Sequence, residues 1–205
     1  MLAEGTLRAQ GSHAASLPGL VDRVLAEAGL DAEAVEAIAV SIGPGSFTGL
    51  RIGLGFAKGL CFAGSLPLVT VSTLEALAHA VEASPGTPVC AALDARKHEV
   101  YAALFAVEPE GRRRRLGPDQ ALAPEALAAG LPSGCVLVGD AASAYPAVFE
   151  GRARVLGFDR CPPRGGVVAR LGWARLLRGE RAELGLVEPA YVRPPEAELA
   201  RRPLR

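Results

Sequence analysis

The residues with reactive or ligating side chains are few and scattered. Asp94, Arg96, Lys97 and Glu99 crowd one short polar stretch, where they could act as an acid–base set or simply form a solvated hairpin tip. Ser46 and Thr48 have no histidine near them in sequence to serve as a base, so nucleophilic catalysis finds no support. Ser72-Thr73 stands where a helix begins, and capping explains it. The three histidines, His13, His79 and His98, lie far apart. Cys61, Cys90, Cys135 and Cys161 form no Cys-Xaa-Xaa-Cys pair, so the spacing predicts reduced, buried thiols and neither a metal site nor a disulfide framework.

The densest pattern is the segment Gly43–Gly64, GPGSFTGLRIGLGFAKGLCFAG. Ser46 is placed to cap a helix running to about Ala63, and Gly49, Gly53, Gly55 and Gly59 fall inside it. Each interior glycine costs about 1 kcal/mol relative to alanine, so several in one helix need a compensating reason. Gly49, Gly53, Ala57 and Cys61 are four apart and make one smooth stripe, flanked by Phe47, Leu50, Leu54 and Phe62. Three readings remain open on spacing alone. The stripe packs on the protein's own sheet, it packs on a helix of another chain, or the loop Gly43-Pro44-Gly45-Ser46 at the helix start binds a phosphate. No Gly-Lys-Ser/Thr follows the glycines, so the Walker pattern is absent.

The elements that must position this segment alternate. Leu2 to Gln10 reads as a weak strand, followed by a helix in which Leu17, Leu20, Val21, Val24, Leu25 and Ala28 recur at helical spacing. Pro18 belongs near its first turn or kinks it, and Gly29 ends it. Asp31 can cap a short helix over Ala32 to Glu36. Ala37 to Ile42 reads as a buried strand with Ile38, Val40 and Ile42 on one face; Leu66 to Val71 is another strand and Thr73 to Val81 another helix. After the linker Ser84-Pro85-Gly86-Thr87-Pro88 the pattern restarts. Val89–Leu93 and Val100–Val107 flank a polar turn as a hairpin, Cys135–Val138 is a strand, and Ala142–Phe149 and Val167–Leu177 are helical. The alternation predicts α/β architecture in two lobes, residues 1–84 and 85–205. Glu108 to Arg115, with Arg112-Arg113-Arg114-Arg115, and the tail after Arg193 carry no packed periodicity. The arginine run is a solvated loop or a contact for nucleic-acid phosphates.

The 205 residues are half hydrophobic, enough for a real core, and 22 basic residues cancel 22 acidic ones, so no global field draws nucleic acid. No stretch approaches 18 uninterrupted apolar residues and Met1–Gly5 has no basic leader pattern, which predicts a soluble, cytoplasmic protein with no membrane contact.

The run Ser41–Ala78, SIGPGSFTGLRIGLGFAKGLCFAGSLPLVTVSTLEALA, closely resembles the signature of the TsaB (YeaZ) family. LDARKHEVYAALF (Leu93–Phe105) resembles that family's hairpin at the start of its second lobe, PAYVRPPEAE (Pro189–Glu198) its C-terminal segment, and His13–Gly29 its first long helix. The resemblance implies two actin-like, RNase H-like lobes with mixed sheets flanked by helices. It also implies a non-catalytic subunit without a cofactor, which binds and activates the catalytic relative TsaD in forming threonylcarbamoyladenosine at position 37 of tRNAs reading ANN codons. The ATPase TsaE would be a third member, tRNA would be met only through the complex, and a homodimer would be an option for the chain alone. Family pairing uses the first two helices, which carries onto His13–Ala28 and Ser46–Ala63 and favours a partner face of Leu17, Leu20, Val21, Val24, Leu25, Phe47, Gly49, Leu50, Gly53, Leu54, Ala57 and Cys61. The catalytic relative's metal-binding histidines fall here on Thr73 and Leu77, which cannot replace imidazole. Family members begin with a strand, an Asp-Thr-Ser-like turn and a second strand; this chain starts at what resembles the third strand, which predicts a first lobe with an exposed sheet edge. The alternative is a stand-alone enzyme of the actin-like class, a small-molecule kinase or a glycoprotease-type metallopeptidase.

Overall fold

A computed structural model describes residues 1–7 and 13–192. The chain divides into two compact units, Met1–Ala80 with Pro163–Pro189, and Val81–Pro162 with the stretch from Ala190. This differs from a single cut at residues 84 and 85: the chain leaves the first unit once and returns to it with residues 163–189.

The first unit begins with residues 1–7, which have no regular secondary structure and are not a strand; the rest of the strand read over Leu2 to Gln10, residues 8–10, lies outside the described residues. Helix α1 (His13–Ala28) follows, with Pro18 inside it. Ala32–Ala34 form a single 3-10 turn, and the Asp31 side chain makes no capping bond to it. Strand β1 (Ile38–Ser41), helix α2 (Phe47–Gly64) and strand β2 (Leu68–Val71) make a parallel crossover in which Ile38 pairs with Leu68 and Ser41 with Val71. Helix α3 (Thr73–Ala80) follows directly, and helix α7 (Gly165–Leu177) returns from the far end of the sequence.

Both faces of this two-stranded sheet are covered. Ile38, Val40 and Leu68 pack with Leu54, Ala57 and Cys61 of α2. Opposite them α7 comes so near that a Cβ on Gly172 would overlap the Cβ of Ala39. Arg175 of α7 donates to the Thr70 carbonyl and pairs with Glu75, tying helix, strand and α3 together. Burial on both faces explains why the strands read as continuous apolar runs without alternation.

The second unit is built on a mixed six-stranded sheet, in the order β5-β4-β3-β7-β8 with β6 beside β4. Its elements are β3 (Pro88–Arg96), β4 (Glu99–Val107), β5 (Arg113–Arg115), β6 (Gln120–Leu122), α4 (Pro124–Gly130), β7 (Val136–Val138), α5 (Ala141–Ala144), α6 (Pro146–Phe149) and β8 (Arg154–Leu156). The β3–β4 hairpin is antiparallel, whereas β7 is parallel to both β3 and β8. The hairpin's two-residue turn has φ of 52° at Lys97 and 59° at His98, the left-handed values a primed turn requires, and Arg96, at a shift in the pairing register, has φ of 64°. The helix read over Ala142–Phe149 is two short ones, broken at Tyr145-Pro146. The core gathers Cys90, Ala92, Val100, Leu137 and Phe149.

Three of the four arginines, Arg113–Arg115, form a strand, against the expectation of an unpacked loop: Phe105 pairs with Arg115 and Val107 with Arg113. Each guanidinium is engaged. Arg112 and Arg114 meet Glu108 at 2.6 and 3.3 Å, Arg115 pairs with Asp119 and stacks over Phe105, and Arg113 donates to the carbonyls of Gly111 and Val81.

Candidate partner-binding surface

The loop Ile42–Ser46 leads from β1 into α2. Gly43 has φ of 120° and its carbonyl accepts a 2.8 Å bond from the Thr73 amide, so the loop is fixed to the start of α3. The Gly43–Pro44 peptide is cis, and both residues are buried while Gly45 and Ser46 are exposed. The Ser46 hydroxyl accepts from the Gly49 amide at 3.3 Å, so the loop's one hydroxyl is occupied as a cap. At the far end Ser65 takes a left-handed φ of 52° and closes the helix onto the Cys61 carbonyl.

Between these caps the phase of α2 is set by Leu54, Ala57 and Cys61, which turn inward; Ala57 is 5% exposed and Cys61 fully buried. These three residues therefore belong to the unit's own core, a correction to the partner face read from the sequence. The stripe Gly49–Gly53–Ala57–Cys61 slopes into the sheet, because the long helix rotates it by about 40° for every four residues. Gly49, Leu50 and Gly53 sit half-buried at its flank and Phe47 is 44% exposed beneath the Arg51 guanidinium, 4.0 Å from its ring centre.

The stripe that faces outward is a different one. Gly55 and Gly59, spaced as Gly-Xaa-Xaa-Xaa-Gly, are exposed, and a Cβ on either would meet nothing within 4 Å. Half-buried Ile52, Phe56 and Leu60 flank them, and Phe62, 83% exposed, stands at the end. Gly55 and Gly59 escaped the sequence reading because two small-residue stripes share the helix. Only the inward series Leu50, Leu54, Ala57 and Cys61 tells them apart, and that signal was present.

Helix α1 packs beside α2. Its Leu17, Leu20, Val21, Val24 and Leu25 are all half-buried, one apolar side as the spacing predicts. Part of that side is already taken: Gly5 lies so near that an added Cβ would stand 2.7 Å from both Leu20 and Val24. The segment is held by Glu4, whose carboxylate accepts from Gly166 at 2.7 Å and pairs with Arg164 at 2.6 Å, at the start of α7. The bonds from Arg164 and then from Gly166 pull the Glu4 carboxyl below its ordinary range.

The remaining chemical candidates make contacts within their own unit. Thr73 shares a 2.7 Å hydrogen bond with Ser41, and Leu77 is buried. The Asp94 carboxylate accepts from the Arg96 amide at 2.9 Å and from the Tyr145 hydroxyl at 3.1 Å, and Asp140 holds the Asp94 amide at 2.9 Å. His98 bonds Glu125 at 2.9 Å. None of the four cysteines forms a disulfide and all are buried, and burial raises the thiols of Cys61, Cys90 and Cys135, the last to about 11, so these three are not thiolates at neutral pH. Among the described residues no group of three His, Cys, Asp or Glu could hold a metal, and no helix is long and apolar enough to cross a membrane.

The family described as TsaD: tRNA N6-adenosine threonylcarbamoyltransferase matches residues 7–144. YeaZ from Pseudomonas aeruginosa superposes with a TM-score of 0.76 at 33% identity, over 87% of this chain and 84% of that one. The chain belongs to the TsaB/YeaZ family. This member is 45% identical over 94 residues to the tRNA threonylcarbamoyladenosine biosynthesis protein TsaB of Haemophilus influenzae, and 40% identical over 100 residues to the TsaB of Escherichia coli. Those stretches are 45% and 48% of this chain, and it spans less than half the length of the two relatives, 40% and 43%. The two units have the actin-like α/β fold of the family, with the mixed sheet in the second.

Proposed function

We propose that this TsaB/YeaZ family member is a non-catalytic subunit of tRNA threonylcarbamoyladenosine biosynthesis that binds TsaD through the outward face of α2 and the adjoining side of α1. The observation that carries the reading is the pair Gly55 and Gly59, placed on a solvent-facing helix where the protein's own packing gives no reason for glycine. Glycine there costs helix stability of about 1 kcal/mol per residue, and the close approach of a second helix would offset it. Phe62, Ile52 and Phe56 supply the apolar area such a contact needs. The nucleotide and threonylcarbamoyl chemistry belongs in this reading to TsaD and the ATPase TsaE. It draws support from the capping role of Ser46, the buried thiols and the occupied hydroxyl of Thr73.

Gly55→Leu tests the reading. With purified TsaD on size-exclusion chromatography the wild-type chain co-elutes, and the variant elutes as a folded protein alone. Normal co-elution of Gly55→Leu, or micromolar affinity of the isolated chain for ATP-Mg²⁺ by calorimetry, would overturn it.

A further inference from the structure

The second unit holds a cavity of about 270 Å³ between its sheet and α4. Cys90 of β3 with Ala102 and Leu104 of β4 forms the floor, and Ala126 and Gly130 of α4 stand opposite. Large side chains ordinarily fill the space between a sheet and its helix to the density of an organic crystal. Here cysteine, alanine and glycine face one another, and the layer stays open. The third wall comes from the sheet itself. Strands β5 and β6 pair with β4 one after the other, Phe105 with Arg115 and Ala102 with Gln120. Between those pairs β4 has Ala103 and Leu104, whereas the facing chain has the four residues Leu116–Asp119, so the surplus loops out as a bulge. Arg115 pairs with Asp119 across the base of the bulge, and its guanidinium lies 4.8 Å from the centre of the Phe105 ring. The chain's own charges thus hold the bulge away from β4.

The bulge leaves one backbone group over. The Val107 amide donates to Thr87 at 3.2 Å and the Glu108 amide to Arg112 at 2.9 Å, so odd-numbered residues of β4 turn toward β3 and even-numbered ones toward β5 and β6. On that side the Leu116 amide donates to the Leu104 carbonyl at 2.8 Å, but the return bond from the Leu104 amide is not made, to Leu116 or to any other described residue. This N–H points at the bulge, where Leu116, Gly117 and Gln120 line the same cavity. Leu104 is half-buried, and a backbone donor withdrawn from water calls for an acceptor.

We propose that this cavity binds a small, flat, uncharged molecule that presents a hydrogen-bond acceptor to the Leu104 amide. An apolar slot with one fixed polar group is the ordinary design of a small-molecule site. Flatness follows from the two walls of small residues, sheet on one side and helix on the other. Charge is selected against, because no charged side chain lines the cavity and the two at the bulge, Arg115 and Asp119, neutralise each other. Size follows from volume: a cavity of about 150 Å³ takes benzene, so this one suits two fused rings. No residue of α2 lines it, and the site does not rest on the TsaD reading.

Isoquinoline and naphthalene are the probes. They share one shape, and only the first carries an acceptor, a ring nitrogen that is unprotonated at neutral pH. In NMR spectra of the nitrogen-labelled full chain, isoquinoline should move the Leu104 amide proton downfield and shift Leu116 and Gly117 with it. Naphthalene should bind roughly tenfold more weakly or worse, the loss of one hydrogen bond. Ala126→Phe, at an exposed position of α4, fills the cavity and abolishes binding of both. Should that variant not fold, Gly130→Leu, whose Cβ meets nothing within 4 Å, gives the same loss. Gly55→Leu leaves probe binding unchanged. Equal affinity for the two probes overturns the proposal, as does isoquinoline binding retained by a folded Ala126→Phe or Gly130→Leu. Absence of a Leu104 shift at millimolar isoquinoline overturns it as well. So does slow exchange of the Leu104 amide in the protein alone, which means that the chain already supplies the acceptor.

Discussion

Glu4 shows how one side chain can fix a segment that has no secondary structure. Its carboxylate accepts from the Gly166 amide in the first turn of α7 and from the Arg164 guanidinium, and the segment it anchors covers Leu20 and Val24. The folded carboxyl titrates below its unfolded value, so its stabilisation is fully present above about pH 4.5 and is lost as pH falls through the lower folded value. Glu4→Gln should cost about 1 kcal/mol near neutrality, the partial exposure of Arg164 limiting the effect. Urea melts from pH 3 to 7 should show wild type and variant converging in acid, and a gap independent of pH would refute this. Leu54 gives the opposite kind of test. It lies in the core of the first unit, so Leu54→Ala should lose about 3 kcal/mol by denaturant melts whether or not a partner is present.

At the scale of elements, α2 separates stability from recognition along one helix. Gly55→Ala should raise the melting temperature, by up to about 1 kcal/mol of helix propensity, because its methyl group meets open space. Gly139 behaves the other way. It ends β7 with φ of 121°, and a Cβ there would overlap the Ala92 carbonyl oxygen, so Gly139→Ala should leave the protein insoluble or molten by near-UV circular dichroism. Much of this was legible in the sequence. The strand Ile38–Ser41, the cap at Ser46, the hairpin and the returning helix each carry a local signal of capping, periodicity or turn chemistry. The phase of α2 was misread because small residues occur on two of its sides, and the one signal that separates them, the series Leu50, Leu54, Ala57 and Cys61, was not weighed against the glycines. Strand β5 was missed because four consecutive arginines look like a solvated run. Their order comes from Glu108, Asp119, Phe105 and two carbonyls that are close in space. Strands β6 and β8 are three residues each, too short for any period to show.

At the scale of the whole molecule, the division of the chain matters more than its length. A fragment cut at the Ser84–Pro88 linker loses α7, and with it the cover over Ala39 and Val69 and the Arg175 contacts to Thr70 and Glu75. Residues 1–84 alone should therefore give a nearly unfolded amide spectrum by NMR, whereas dispersed, native-like resonances for β1 and β2 would show that α7 is dispensable. The same connectivity sets an order of events on the ribosome. Residues 81–162 emerge as an almost uninterrupted piece, while the first unit waits for residues 163–189 before its sheet can be roofed. During that interval in translation the bare faces of β1 and β2 are what a nascent-chain chaperone would meet, and slow passage of the codons for residues 163–189 would lengthen the exposure.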